Sequence, residues 1–106
     1  MEKPICNTEC VAEVFRLQMP INSLKRFTEK KDAIHRHFSC LSGYESLELF
    51  LLSSTEVWVI VRWNNYRDFE MHLSQVLNAP EIRDWLKEAS SVTHQPCIVK
   101  KAVTSN

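Results

Sequence analysis

The sequence predicts an α+β domain of the ferredoxin-like type, a split β-α-β-β-α-β order with helices on one face of a four-stranded antiparallel sheet. Three observations carry this reading. Stretches of two-residue hydrophobic period alternate with stretches of helical period in that order along the chain. The second and third strand candidates are separated only by the polar turn Ser53-Ser54-Thr55, which implies an antiparallel hairpin. The 106 residues are 44% apolar and 25% charged, so they suit one globular domain, residues 1–106 with a core over about 10–103.

Each element has its own signal. From Cys10 to Met19, Val11, Phe15, Leu17 and Met19 share one parity, and Pro20 stops the strand. Asn22 or Ser23 can cap the helix that follows. Leu24, Phe27, Ile34, Phe38 and Leu41 give it one apolar stripe, and Gly43 supplies a left-handed end. Tyr44 to Ser53 and Glu56 to Trp63 read as strands, the latter rich in β-branched and aromatic residues. Asn65 caps a second helix, with Asp68 in its first turn and Tyr66, Phe69, Leu73, Val76 and Leu77 on its apolar face. Asn78-Ala79-Pro80 interrupts that helix, and Pro80 restarts it toward Ile82, Trp85, Leu86 and Ala89. Gln95-Pro96 leads into a last strand, Cys97 to Val103, and leaves His94 in a loop.

Composition excludes several functions. Thirteen Lys and Arg balance thirteen Asp and Glu, so a broad basic surface for nucleic acid is not expected. A single glycine, Gly43, cannot build a phosphate-cradling loop. The run Val57 to Val61 is far short of the ~20 residues of a membrane helix. Met1-Glu2-Lys3-Pro4 has no apolar stretch behind it, so a cytoplasmic location is expected. Cys6, Cys10, Cys40 and Cys97 contain no CxxC pair and no zinc spacing, so they read as structural or incidental thiols and no metal site is expected.

The two central strands are apolar on both parities. Val57, Val59 and Val61 oppose Trp58 and Ile60, while Leu47, Leu49 and Leu51 oppose Phe50 and Leu52. Helices can cover one side only. At about 25 cal/mol per Å², leaving Trp58, Ile60, Phe50 and Phe15 in water would forgo several kcal/mol. A homodimer whose sheets face each other is therefore expected. Its cavity would lie between sheet and helices or inside a shared barrel.

The run Trp58 to Leu73, WVIVRWNNYRDFEMHL, resembles the antibiotic biosynthesis monooxygenase family. So do Ala79 to Trp85, APEIRDW, and Gly43-Tyr44 at the start of the second strand. The likeness spans roughly Val11 to Val103. It implies the dimeric α/β-barrel fold. It also implies one of the family's activities, which include cofactor-independent oxygenation of quinols or polyphenols and haem degradation. The haem-degrading branch carries an Asn on the first strand and a Trp and a His on the second helix. This chain has no Asn between Cys10 and Met19, and His72 stands where that Trp belongs. Haem degradation is thus poorly supported, and the missing first-strand Asn favours a non-catalytic member; the activity the resemblance otherwise implies is an oxygenase without cofactor, acting on a small aromatic or quinol-like molecule that activates oxygen once deprotonated. A base and a dry pocket are what the protein must then supply.

His72, beside Phe69 and Leu73 on the second helix, is the candidate catalytic base, since neutral imidazole accepts a phenolic proton near neutral pH. Its alternative is a partly buried histidine bonded to a carbonyl or a partner chain. Trp58, Trp63 and Phe15 are candidate walls of a substrate pocket, with plain packing as the alternative. Trp58 and Trp63 differ in parity and must point to opposite faces. Arg62 is a candidate for holding an anionic oxygen, against pairing with Glu13, Glu48 or Glu56; Arg16 reads the same way. His35 and His37 diverge by roughly 200° on their helix and read as surface. A non-catalytic dimer that binds a small ligand, or serves as an accessory or stress-response protein, is the competing function.

Overall fold

The computed structural model describes residues 9–100. Strand β1 (Glu9–Gln18) leads through a 3-10 turn (Ile21–Ser23) into helices α1 (Leu24–Glu29) and α2 (Lys31–Ser39). The hairpin β2 (Tyr44–Leu51) and β3 (Glu56–Trp63) follows, then α3 (Tyr66–Asn78), α4 (Pro80–Leu86) and β4 (Ser91–Lys100). The sheet order is β2-β3-β1-β4 with every neighbour antiparallel, so the ferredoxin-like α+β fold is the one observed.

The expected elements appear with local differences. The first helix is broken at Lys30, whose amide bonds Phe27 O in a tightened turn, and Ser23 provides no side-chain cap. Phe27, Ile34 and Phe38 still form one buried stripe, because Lys30 keeps near-helical angles. Gly43 has a φ of 81°, and a Cβ there would run into the Asp68 side chain. The hairpin turn is closed by Ser53 Oγ, which accepts from the amides of Thr55 and Glu56. Asn65 caps α3 by accepting from Asp68 N at 2.8 Å, and Pro80 opens α4.

The last strand differs most from expectation. It begins at Ser91, not Cys97, and includes His94 and Pro96. β4 is an edge strand, where a residue without an amide proton fits if that position faces away from β1. The expected continuation to Val103 lies partly outside the described residues, as does Cys6.

Parity sorts the sheet. Val11, Phe15, Leu17, Val57, Val59, Val61 and Trp63 face the helices and are buried with Phe27, Phe38, Phe69, Val76, Ile82 and Trp85. Phe15 therefore belongs to the helix side and not to the open face; its neighbours Val59 and His94 in the register share that side. The open face carries Val14, Ile60, Trp58 and Phe50, with Phe50 paired to Trp58 and 44% exposed.

Candidate functional site

On the helix side, Glu13 breaks the apolar parity of β1. It is 1% exposed. A buried carboxylate needs donors on both oxygens. Oε1 accepts from Trp63 Nε1 at 2.8 Å, and Oε2 lies 2.8 Å from His94 Nε2. Trp63 on β3 and His94 on β4 are the diagonal neighbours of Glu13 on the two strands that flank it, which is why one carboxylate reaches both. Phe15 stacks on His94 at 4.4 Å between ring centroids and 15° between planes.

Trp63 is fully buried and joins this group to His72, whose ring lies at 5.8 Å and 23° to it. Phe38, Tyr44 and Phe69 meet Trp63 edge-on. Burial pushes the Tyr44 phenol up to about 12, and its hydroxyl lies 2.7 Å from His35 Nδ1.

The His72 ring is oriented by a polar chain. Ser42 Oγ donates to Asp68 Oδ1 at 3.1 Å, and Asp68 Oδ2 accepts from Asn65 Nδ2 at 2.9 Å. A serine has one proton. With that proton given to Asp68, Ser42 accepts from His72 Nε2, 3.1 Å away. The neutral ring then carries its lone pair on Nδ1. That nitrogen is buried and has no hydrogen-bond partner among the described residues. Buried polar atoms are nearly always paired, so an orphan acceptor marks a place for a donor from outside. Gly43 belongs to this arrangement, since Asp68 occupies the space its side chain would need.

The sequence-selected residues divide between the two faces. His72, Trp63 and Phe15 lie on the helix side. Trp58 and Arg62 lie on the open face. Arg62 Nε donates to Glu48 Oε1 at 2.9 Å, the pairing weighed against an anion-binding role. Arg16 instead covers the Trp58 ring, its guanidinium carbon 4.7 Å from the centroid. Trp58 Nε1 also donates to Glu56 Oε2 at 3.2 Å.

Glu13 and His94 are the members sequence reasoning missed. Glu13 could have been found, because it shares parity with Val11, Phe15 and Leu17. His94 could not, since its role depends on where β4 starts. Among the described residues, no three His, Cys, Asp or Glu side chains gather as a metal-ligand set, and no helix is long and apolar enough to cross a membrane. Cys40 and Cys97 form no disulfide among the described residues.

No family model and no curated protein matches this sequence. Solved structures do match it in fold. A variant of SnoaB, a cofactor-independent oxygenase from Streptomyces nogalater, superposes with TM-score 0.70 at 15% identity, covering 91% of this chain and 98% of that one. An antibiotic biosynthesis monooxygenase assigned in Bordetella bronchiseptica gives TM-score 0.69 at 13% identity, over 89% of this chain and 98% of that one. Another from Nitrosomonas europaea gives 0.65 at 10% identity, over 98% of this chain and all 100% of its own. Proteins of the antibiotic biosynthesis monooxygenase type thus share this fold, in line with the resemblance carried by Trp58 to Leu73.

Proposed function

We propose that this chain is a cytoplasmic, cofactor-independent monooxygenase. It acts as a homodimer on a small aromatic or quinol-like substrate. The observation that carries the reading is His72 Nδ1, a buried lone pair without a partner among the described residues. His72 is the base. A phenolic hydroxyl donates to Nδ1, the proton moves to the ring, and Ser42 and Asp68 stabilise the resulting imidazolium through Nε2. Trp63, stacked on His72, and Phe15 wall this side of the sheet. Trp58 and Arg62 belong to the face that meets the second copy. The shared fold of SnoaB supports the reaction class, since that protein is a cofactor-independent oxygenase.

One observation favours a second reading. Trp63, Phe38 and Phe69 are 0–3% exposed, so the interior near His72 is closely packed in one protomer. A non-catalytic dimer that binds a small ligand, or serves as an accessory protein, suits a filled interior.

Oxygen uptake with a panel of hydroquinones separates the two. The oxygenase consumes oxygen with at least one of them, and His72→Ala slows it roughly 100-fold, the weight of a general base. No uptake above buffer in the unaltered protein leaves the binding module; equal rates in protein and variant remove His72 from the reaction.

A further inference from the structure

We propose that Glu13 and His94 form a carboxylate–imidazole pair that takes the proton of a phenolic or enolic hydroxyl at the edge of the sheet. The site is separate from His72. It rests on the reading that this side of the sheet receives a hydroxylated aromatic, and it adds a second proton acceptor.

The hydrogen bonds set the direction. Trp63 Nε1 can only donate, which fixes Glu13 Oε1 as an acceptor. Oε2 then orients the His94 ring, places the ring proton on Nε2, and leaves the lone pair on Nδ1. Phe15 holds the plane of the ring by stacking. Nδ1 has no hydrogen-bond partner among the described residues, and the His94 side chain keeps 23% of its surface exposed, while Glu13 keeps 1%. Such a pair has a buried half that fixes and an outer half that reacts. β4 is the sheet edge, so a ligand reaches His94 without crossing the core.

A second feature lies beside it. Val92 is register partner of the buried Leu17 and sits two residues before His94 on the same side of β4. It lines a shallow, open depression of about 450 Å³ together with Leu86, Arg83 and Lys87, next to His94 along the strand. The apolar wall suits a ring, and the two cations attract an anion. In the step itself, the O–H bond of the ligand breaks and its proton goes to Nδ1. The electron pair stays on oxygen, and Glu13 stabilises the imidazolium. No oxidant or reductant is consumed.

The test uses para-nitrophenol without oxygen, because its absorbance reports phenol and phenolate separately. The full-length protein is expected to raise the phenolate fraction. Glu13→Gln keeps the volume and the Trp63 hydrogen bond. Its amide nitrogen donates to Nε2, which moves the ring proton to Nδ1 and removes the acceptor. Ring-nitrogen NMR checks that tautomer. His94→Gln removes the ring and keeps an amide donor that can serve Glu13 Oε2. Both variants, made in a His72→Gln background so that the other base is silent, are expected to lower the phenolate increment by about tenfold or more, the weight of one pKa unit. An increment that survives both substitutions, or none in the unaltered protein, overturns the pair. Hydroquinone oxidation can fail while the nitrophenol signal holds, so the oxygenase reading and this one are judged apart.

Discussion

Glu13 exchanges the water around its carboxylate for two side-chain donors, and Gly43 gives up a side chain so that Asp68 can sit where a Cβ would be. Both choices put polar order where a core position would otherwise be apolar or a turn merely loose. Tyr44 shows the reverse cost. Its phenol is packed beside Phe38 and Trp63, and loss of water there holds the proton on to about 12, above the ordinary 10.0. A folded pKa above the unfolded one means that the folded state keeps the proton longer. The stability involved is whole below pH 10 and is lost as pH rises toward 12. Thermal unfolding followed across that window is expected to show a falling midpoint, and Tyr44→Phe to flatten the fall. Near-ultraviolet absorbance of the variant lacks the late phenolate step. A midpoint that falls equally in the variant assigns the loss to other groups. Of these residues, Gly43 and Asn65 were legible from the sequence, because left-handed ends and caps are local. The bare nitrogen of His72 was not, because its partner Ser42 is thirty residues away.

Among the elements, α3 ties capping to the candidate site. Asn65 accepts from Asp68 N and donates to Asp68 Oδ2, so one residue starts the helix and aims the carboxylate that accepts from Ser42. Asn65→Ala is expected to cost about 1 kcal/mol of stability, read as a lower unfolding midpoint. It also loosens the His72 ring, which shows as broadening of its ring signals in NMR; an unchanged midpoint would show that water replaces the cap without loss. The hairpin and the Pro80 restart were legible, since turn residues and a proline at a first helical position act within a few residues. The start of β4 was not. Pro96 reads locally as a strand breaker, and only the vacant outer edge makes it acceptable. The break at Lys30 escaped for the same kind of reason, as nothing in the local pattern interrupts the stripe.

For the whole molecule, the open sheet face is the deciding surface. Val14, Ile60, Trp58 and Phe50 form an apolar strip there, and the ion pair of Arg62 with Glu48 and the cation of Arg16 over Trp58 flank it. Burying that strip against a second copy is the arrangement proposed for the active protein. Sedimentation at micromolar concentration is expected to give a dimer. Ile60→Lys is expected to give a folded monomer, because Ile60 lies on the face away from the core. A stable lone protomer in the unaltered protein would remove the dimer and the role given to Trp58 and Arg62.

Hydrophobic period, turn chemistry and composition by themselves determined the order of elements, the hairpin, the caps, and which residues of β3 oppose each other. These depend on neighbours within a turn or a pleat, so the order of residues suffices. The site was decided only in three dimensions. Glu13 becomes an anchor because strand order sets Trp63 on one side of it and His94 on the other. His72 keeps an unpartnered lone pair on Nδ1 because a loop serine spends its single proton elsewhere. Hydrogen bonds between strands far apart in the chain obey register, and register follows from the packed sheet as a whole.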